Sequence, residues 1–165
     1  MSAEDAALRW GLPPGFRPLC FPVATEVKEL MRTLLNADEP VIATLANEGD
    51  SISVVATPHR VFSIRSGMTA GVTGFTVREF PWEGISDLRL QSMPMNIKIA
   101  IHFKSTDGGR TAEVGRRAVM AKPAVDNLTL FESGAGTQVF EALYGIWQHK
   151  KSLPDESSES LVAIF

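Results

Sequence analysis

The run from Ser53 to Gly67 sets the tightest limit on what this chain can fold into. Ser53-Val54-Val55-Ala56-Thr57 and Val61-Phe62-Ser63-Ile64-Arg65 are rich in β-branched and aromatic residues. The Thr57-Pro58-His59-Arg60 junction between them leaves room only for a tight turn, so the run reads as one hairpin. From Pro40 onward the apolar period is two instead of three-to-four, and strands are expected at residues 41–46, 52–57, 61–65, 75–82, 85–91 and 96–104. Short strands at this spacing belong to an all-β barrel or sandwich.

The clearest alternation runs Ile97-Lys98-Ile99-Ala100-Ile101-His102-Phe103-Lys104, which predicts a central strand with Ile97, Ile99, Ile101 and Phe103 inward and Lys98, His102 and Lys104 outward. Asn47-Glu48-Gly49-Asp50 and Asp107-Gly108-Gly109 supply turn residues tolerant of positive φ. Ala70-Gly71-Val72-Thr73-Gly74 is expected to be a looser connection. After Arg110 two readings stand: residues 111–114 pair back across the Asp107-Gly108-Gly109 turn, or residues 127–132 form the closing strand, with both able to be strands around a loop at 115–125.

Helical patterning brackets the strands. Val27, Leu30, Met31, Leu34 and Leu35 recur at helical spacing within residues 23–36, with Thr25 or its predecessor as the cap. Residues 137–151 carry a broad apolar stripe of Val139, Phe140, Leu143, Ile146 and Trp147. His149, Lys150 and Lys151 suit the negative carboxyl end of that helix, and Pro154 stops it. Before the first helix, Pro13, Pro14, Pro18 and Pro22 alternate with Trp10, Phe16 and Phe21, which excludes regular helix and predicts an extended arm lying on its own domain or on a neighbour, with disorder as the alternative. The organisation expected is an arm at residues 1–22, one domain at 23–151 and an acidic, then apolar, tail at 152–165.

A strand ending in Thr57, a two-residue turn, Arg60 opening the next strand, and Phe80-Pro81-Trp82-Glu83-Gly84-Ile85 further on resemble the pleckstrin-homology-like (PH-like) domains of bacteria. The resemblance covers residues 39–151 and is most specific between Val54 and Ile85. It implies a mainly β fold with α+β elements: a barrel of about seven antiparallel strands capped by the carboxyl-terminal helix, here with an extra amino-terminal helix. It also implies a self-associating or peptide-binding scaffold instead of an enzyme. Relatives of this fold that bind inositol phosphates use cations on the first two strands and their loop. Here that loop carries Glu48 and Asp50, which opposes a polyanionic headgroup.

Composition narrows the classes further. Sixteen Lys and Arg against nineteen Asp and Glu give a net charge of −3, so no global field draws the 165-residue chain to nucleic acid or an anionic bilayer, and neither partner is expected. The single cysteine, Cys20, closes no intrachain disulfide and is expected to be a small buried apolar residue. No apolar stretch approaches a spanning length, and the start carries Glu4 and Asp5, so a soluble cytoplasmic protein is expected.

No catalytic constellation emerges. His59, His102 and His149 fall in a turn, on an outward strand face and at a helix end, without metal-ligand spacing. Gly134-Ala135-Gly136 reads as helix entry without the Lys-Ser/Thr of a phosphate loop. No enzyme activity, cofactor or metal is therefore expected. The candidate interface residues are Trp10, Phe16, Phe21, Met93 and Met95, residue types enriched where proteins meet, which points to a homo-oligomer and to a protein or peptide partner. Leu161-Val162-Ala163-Ile164-Phe165 is either an added strand on a sheet edge or a frayed tail. Arg116, Arg117 and Lys122 form a local basic cluster, either a solvated loop or a site for a phosphate or an acidic partner; the latter would support peripheral membrane or anionic-ligand binding.

Overall fold

Two sheets, a short helix on one flank and a long helix at the carboxyl end make up a mixed α+β chain in the computed structural model, which describes residues 9–47, 52–69, 72–92, 98–105, 110–112 and 125–153. The elements are β1 (Leu19–Cys20), α1 (Thr25–Leu34), β2 (Ala43–Ala46), β3 (Ile52–Ala56), β4 (Arg60–Thr69) and β5 (Val72–Pro81). After a 3₁₀ turn (Trp82–Gly84) come β6 (Ile85–Ser92), β7 (Lys98–Ser105), β8 (Arg110–Ala112), β9 (Val125–Glu132) and α2 (Ser133–Ser152). The larger sheet runs β1-β2-β3-β4-β5-β8 and the smaller β6-β7-β9. Among the described residues only β1 pairs in parallel; the other pairings are antiparallel.

The larger sheet is covered on both faces, and this explains why every residue of β3 is buried where a half-exposed strand would alternate. Helix α1 lays Val27, Leu30 and Met31 on one face, against Val55, Phe62, Ile64 and Val77. The opposite face presents Val54, Ala56, Val61 and Phe80 to a core shared with Leu88, Ile101 and Phe103 of the smaller sheet. Phe80 and Phe103 stack across that core with ring centroids 5.4 Å apart. Helix α2 closes the same core with Val139, Leu143 and Ile146, all fully buried, and Trp147. Phe140 is only partly buried, at the edge of the stripe. No helix of the described residues is long and apolar enough to cross a membrane.

Several boundaries differ from the sequence expectation, each for a physical reason. Helix α2 begins at Ser133, so Gly134-Ala135-Gly136 forms its first turn; the low helix propensity of glycine is a weak prior that tertiary packing overrides. Residues 72–74, expected within a looser connection, belong to β5 instead, paired to β4 with Gly67 opposite Gly74 and Thr69 opposite Val72. Residues 110–112 pair with β5, not back onto β7, because β7 already lies between β6 and β9. The start of α1 has no side-chain cap: Ala24 holds the capping position, and its carbonyl accepts the Val27 and Lys28 N–H groups.

The proline-rich arm lies on its own domain, but Arg9 and Trp10 are helical, contrary to the expectation of no regular helix, because the first proline comes only at position 13. Leu12 is buried in the main core, and Trp10, Phe16, Leu19 and Phe21 pack partly buried against it. The Leu19 and Phe21 N–H groups donate to the Ile42 and Thr44 carbonyls at 2.9 and 3.0 Å, and the Thr44 hydroxyl donates to the Phe21 carbonyl at 2.6 Å. Cys20 is exposed, not buried as its residue type suggests. Alternation along β1 turns Leu19 to the core and therefore turns Cys20 out.

Candidate functional site

The tight turn between β3 and β4 organises two distinct surroundings, one on each side. On the α1 side, Glu39 is fully buried and Arg60 grips its carboxylate with two bonds, Nε to Oε2 at 2.9 Å and Nη2 to Oε1 at 2.8 Å. The Thr57 hydroxyl donates to Glu39 Oε2 at 2.6 Å and accepts the His59 and Arg60 N–H groups, which ties the turn to the same carboxylate. Arg60 also reaches Glu79 at 3.2 Å and donates to the Leu34 carbonyl, the last of α1, at 3.1 Å. A cation on these terminal carbonyls suits the helix dipole. Burial alone would raise the Glu39 pKa, but the bonds from Arg60, Thr57 and the Asn36 N–H outweigh it and hold it down at about 2. The Glu39 contact in turn raises the Arg60 pKa. Arg60 lies over the Phe62 ring at 4.7 Å, as two positions on one strand face allow. Every strong polar group in this cluster is satisfied from within the chain, so it acts as a structural clasp.

The other side of the turn borders a half-open cleft of about 560 Å³ lined by Pro58, His59, Trp82, Glu83, Ile85, Lys150, Lys151 and Leu153. Three segments far apart in sequence are bonded together to make it. The Trp82 indole N–H donates to the Thr57 carbonyl at 2.8 Å and its backbone N–H to the His59 carbonyl at 3.3 Å, fixing the 3₁₀ turn beside the hairpin. The Trp147 indole donates to the Ile85 carbonyl at 3.1 Å and so fixes the end of α2 beside β6. Pro58, Trp82 and Ile85 are buried and form an apolar floor, while His59, Glu83 and Lys151 are exposed at the rim.

Lys150 is the most constrained charge in the cleft. Its ammonium donates to the Trp10 carbonyl at 3.1 Å, and burial pushes its pKa below the usual lysine range, against the pull of Glu83. Lys151 lies 4.4 Å over the Trp147 ring. The Trp10 ring meets His59 edge-on at 5.2 Å, so the arm forms part of the surroundings. The arrangement offers an apolar surface with two ammonium groups, one carboxylate and one imidazole at its edge. That suits a chain segment carrying both apolar and charged side chains. Among the described residues no group of three or more His, Cys, Asp or Glu side chains is placed to hold a metal ion.

Of the residues singled out in the sequence, Trp10 touches the cleft through His59 and Lys150, whereas Phe16 and Phe21 pack on the core away from it. Met93, Met95, Arg116, Arg117 and Lys122 lie outside the described residues, as do Glu48, Asp50 and the tail from Pro154. The buried Asn47 side chain accepts the Ile52 N–H at 2.9 Å, so this loop residue serves the hairpin. The sequence reading missed Glu83, Lys150 and Lys151 as neighbours; the available signal was that Trp82-Glu83 and Trp147 both adjoin elements expected to pack together. Comparison of the chain with family models, with curated proteins and with solved structures finds no match.

Proposed function

We propose that the chain is a PH-like barrel that works as a binding module, holding a peptide segment of a protein partner or of another copy of itself in the cleft beside the Pro58-His59 turn. The observation that carries this reading is the cleft itself: a half-open apolar floor with charges of both signs at its rim. The fold assignment draws support from the Thr57-to-Arg60 hairpin signature, the antiparallel run β2 to β5, the three-stranded β6-β7-β9 sheet and the helix lying over their shared core. Phosphoinositide recognition is not part of the proposal, since the first hairpin loop offers carboxylates where convergent cations are required.

The test is to pan a random-peptide display library against the whole protein and measure the selected peptides on His59→Ala and Glu83→Lys variants. Saturable binding that one of these substitutions weakens about tenfold or more, in line with loss of a contact worth about 1.4 kcal/mol, supports the reading. Peptides that bind both variants as well as the parent, or no selected peptide at all, would overturn it. Light scattering of the parent at micromolar concentration tests self-association directly, and a monomer removes that part.

A further inference from the structure

We propose that Lys150 is a modification site, a nucleophilic amine that takes an acyl group with an apolar chain from a thioester donor. Position supplies the first argument. Lys150 is half-buried and lines the cleft together with the apolar residues Pro58, Trp82, Ile85 and Leu153. Its Nζ donates to the Trp10 carbonyl at 3.1 Å, and a Cβ at Gly11 would stand 3.3 Å from the same atom, so the arm holds the nitrogen on one side while the cleft opens on another. By contrast, Lys28, Lys104 and Lys151 are exposed.

Chemistry supplies the second argument. A lysine attacks only as the neutral amine, and desolvation favours that form. Burial lowers the Lys150 pKa, and Glu83 pulls the other way without cancelling it. The other ionisable groups around the site are His59 from the turn, His149 and Lys151 on α2, and Arg9, which lies 5.1 Å over the Trp10 ring. In the neutral amine one N–H keeps the bond to the Trp10 carbonyl while the lone pair is free to attack. Nζ bonds to the acyl carbon, the carbon–sulfur bond breaks, sulfur leaves with its electron pair, and the proton released by nitrogen passes through water to the thiolate. The amide product retains an N–H for the Trp10 carbonyl, and the apolar lining receives the acyl chain. Acylation also removes one of the cleft's two ammonium groups, leaving Lys151 and Glu83 as its remaining opposite charges.

Competitive labelling of the whole protein tests the proposal, with octanoyl and acetyl thioesters of coenzyme A as probes and peptide mass spectrometry as the readout. Hydroxylamine treatment before digestion removes any acyl group exchanged onto the exposed thiol of Cys20 and spares the amides. With the octanoyl probe near neutral pH, Lys150 is expected to be acylated about fivefold faster than Lys28 or Lys104, and its rate to level off at a lower pH than theirs. The octanoyl probe is expected to outpace the acetyl probe at Lys150 and to match it at Lys28. Glu83→Gln, a change at an exposed position, removes a pull toward the charged form and is expected to speed labelling at Lys150 while Lys28 is unchanged. Labelling of Lys150 no faster than of Lys28 overturns the proposal. So does a preference that survives in the urea-unfolded chain, since it would owe nothing to the cleft. None of these readouts involves a bound peptide, so failure here leaves the peptide reading standing, and failure of that reading leaves this one.

Discussion

Arg60 and Glu39, twenty-one positions apart, meet through two parallel bonds, Nε to Oε2 and Nη2 to Oε1, with the Glu39 side chain wholly removed from solvent. The pair joins the entry to β2, the start of β4 and the end of α1. Truncating Arg60 leaves the Glu39 carboxylate buried without its cation, which costs about 3–5 kcal/mol. Arg60→Ala is therefore expected to lower the urea midpoint strongly, while Glu39→Leu/Arg60→Met loses much less than the sum of its single substitutions. A double-mutant cycle by urea unfolding measures this, and additive losses would refute the clasp.

The same carboxylate fixes the direction of acid sensitivity. The Glu39 pKa falls from 4.5 to about 2 on folding, so its contribution to stability is complete above about 4.5 and is lost as pH falls through about 2. A shift of this size corresponds to roughly 3 kcal/mol. Unfolding free energies measured from pH 6 to pH 2 are expected to decline over that window, and Glu39→Gln is expected to flatten the decline while being less stable at pH 6. An identical pH slope in the variant would show that other groups govern acid unfolding.

Trp147 has two roles that substitutions can separate. Trp147→Ala removes a buried indole from the core under α2 and is expected to cost about 3–5 kcal/mol. Trp147→Phe keeps most of the packing and gives up the bond to the Ile85 carbonyl, leaving a buried acceptor at a cost of about 1–3 kcal/mol. Thermal melts of the two variants rank the effects; a parental melt for Trp147→Ala would mean that the helix is not docked.

Gly11 and Gly15 offer a matched comparison of backbone strain with crowding. Both have positive φ, 67° and 77°, so alanine at either position is expected to cost about 1 kcal/mol for the backbone alone. A Cβ at Gly11 would stand 3.3 Å from Leu153 Cδ1 and from Lys150 Nζ, whereas one at Gly15 meets nothing within 4 Å. Gly11→Ala is thus expected to be the more destabilising and to shift the Lys150 side-chain NMR signals. Equal losses with unmoved Lys150 signals would show that the arm does not press on the cleft.

The regular elements were legible because local periodicity encodes them. The alternation through Ile101 and Phe103 marks a strand in which both of these inward residues are fully buried, and the stripe through Val139, Leu143, Ile146 and Trp147 marks the face of α2 that docks. What was not legible depends on contacts between distant positions. Glu39 precedes a proline in an unpatterned stretch, and nothing local announces that Arg60 will neutralise it. The cleft draws on residues near 58, 83 and 151, which no local pattern brings together, and becomes a site only when two tryptophan indoles bond carbonyls of other elements. The partner of residues 110–112 was likewise set by which strand edge remained open, a property of the assembled sheet.

Because Leu19 and Phe21 direct their N–H groups toward β2, positions 18, 20 and 22 direct theirs away from it, and two of those three residues are proline. A foreign strand approaching that flank would find Cys20 as its single main-chain donor over five residues. The outermost strand thus serves as a terminator for templated β growth, the process by which exposed sheet edges seed fibrils. Higher-order assembly on this flank has to proceed through side chains, free of the fixed interstrand spacing that hydrogen-bonded addition would impose.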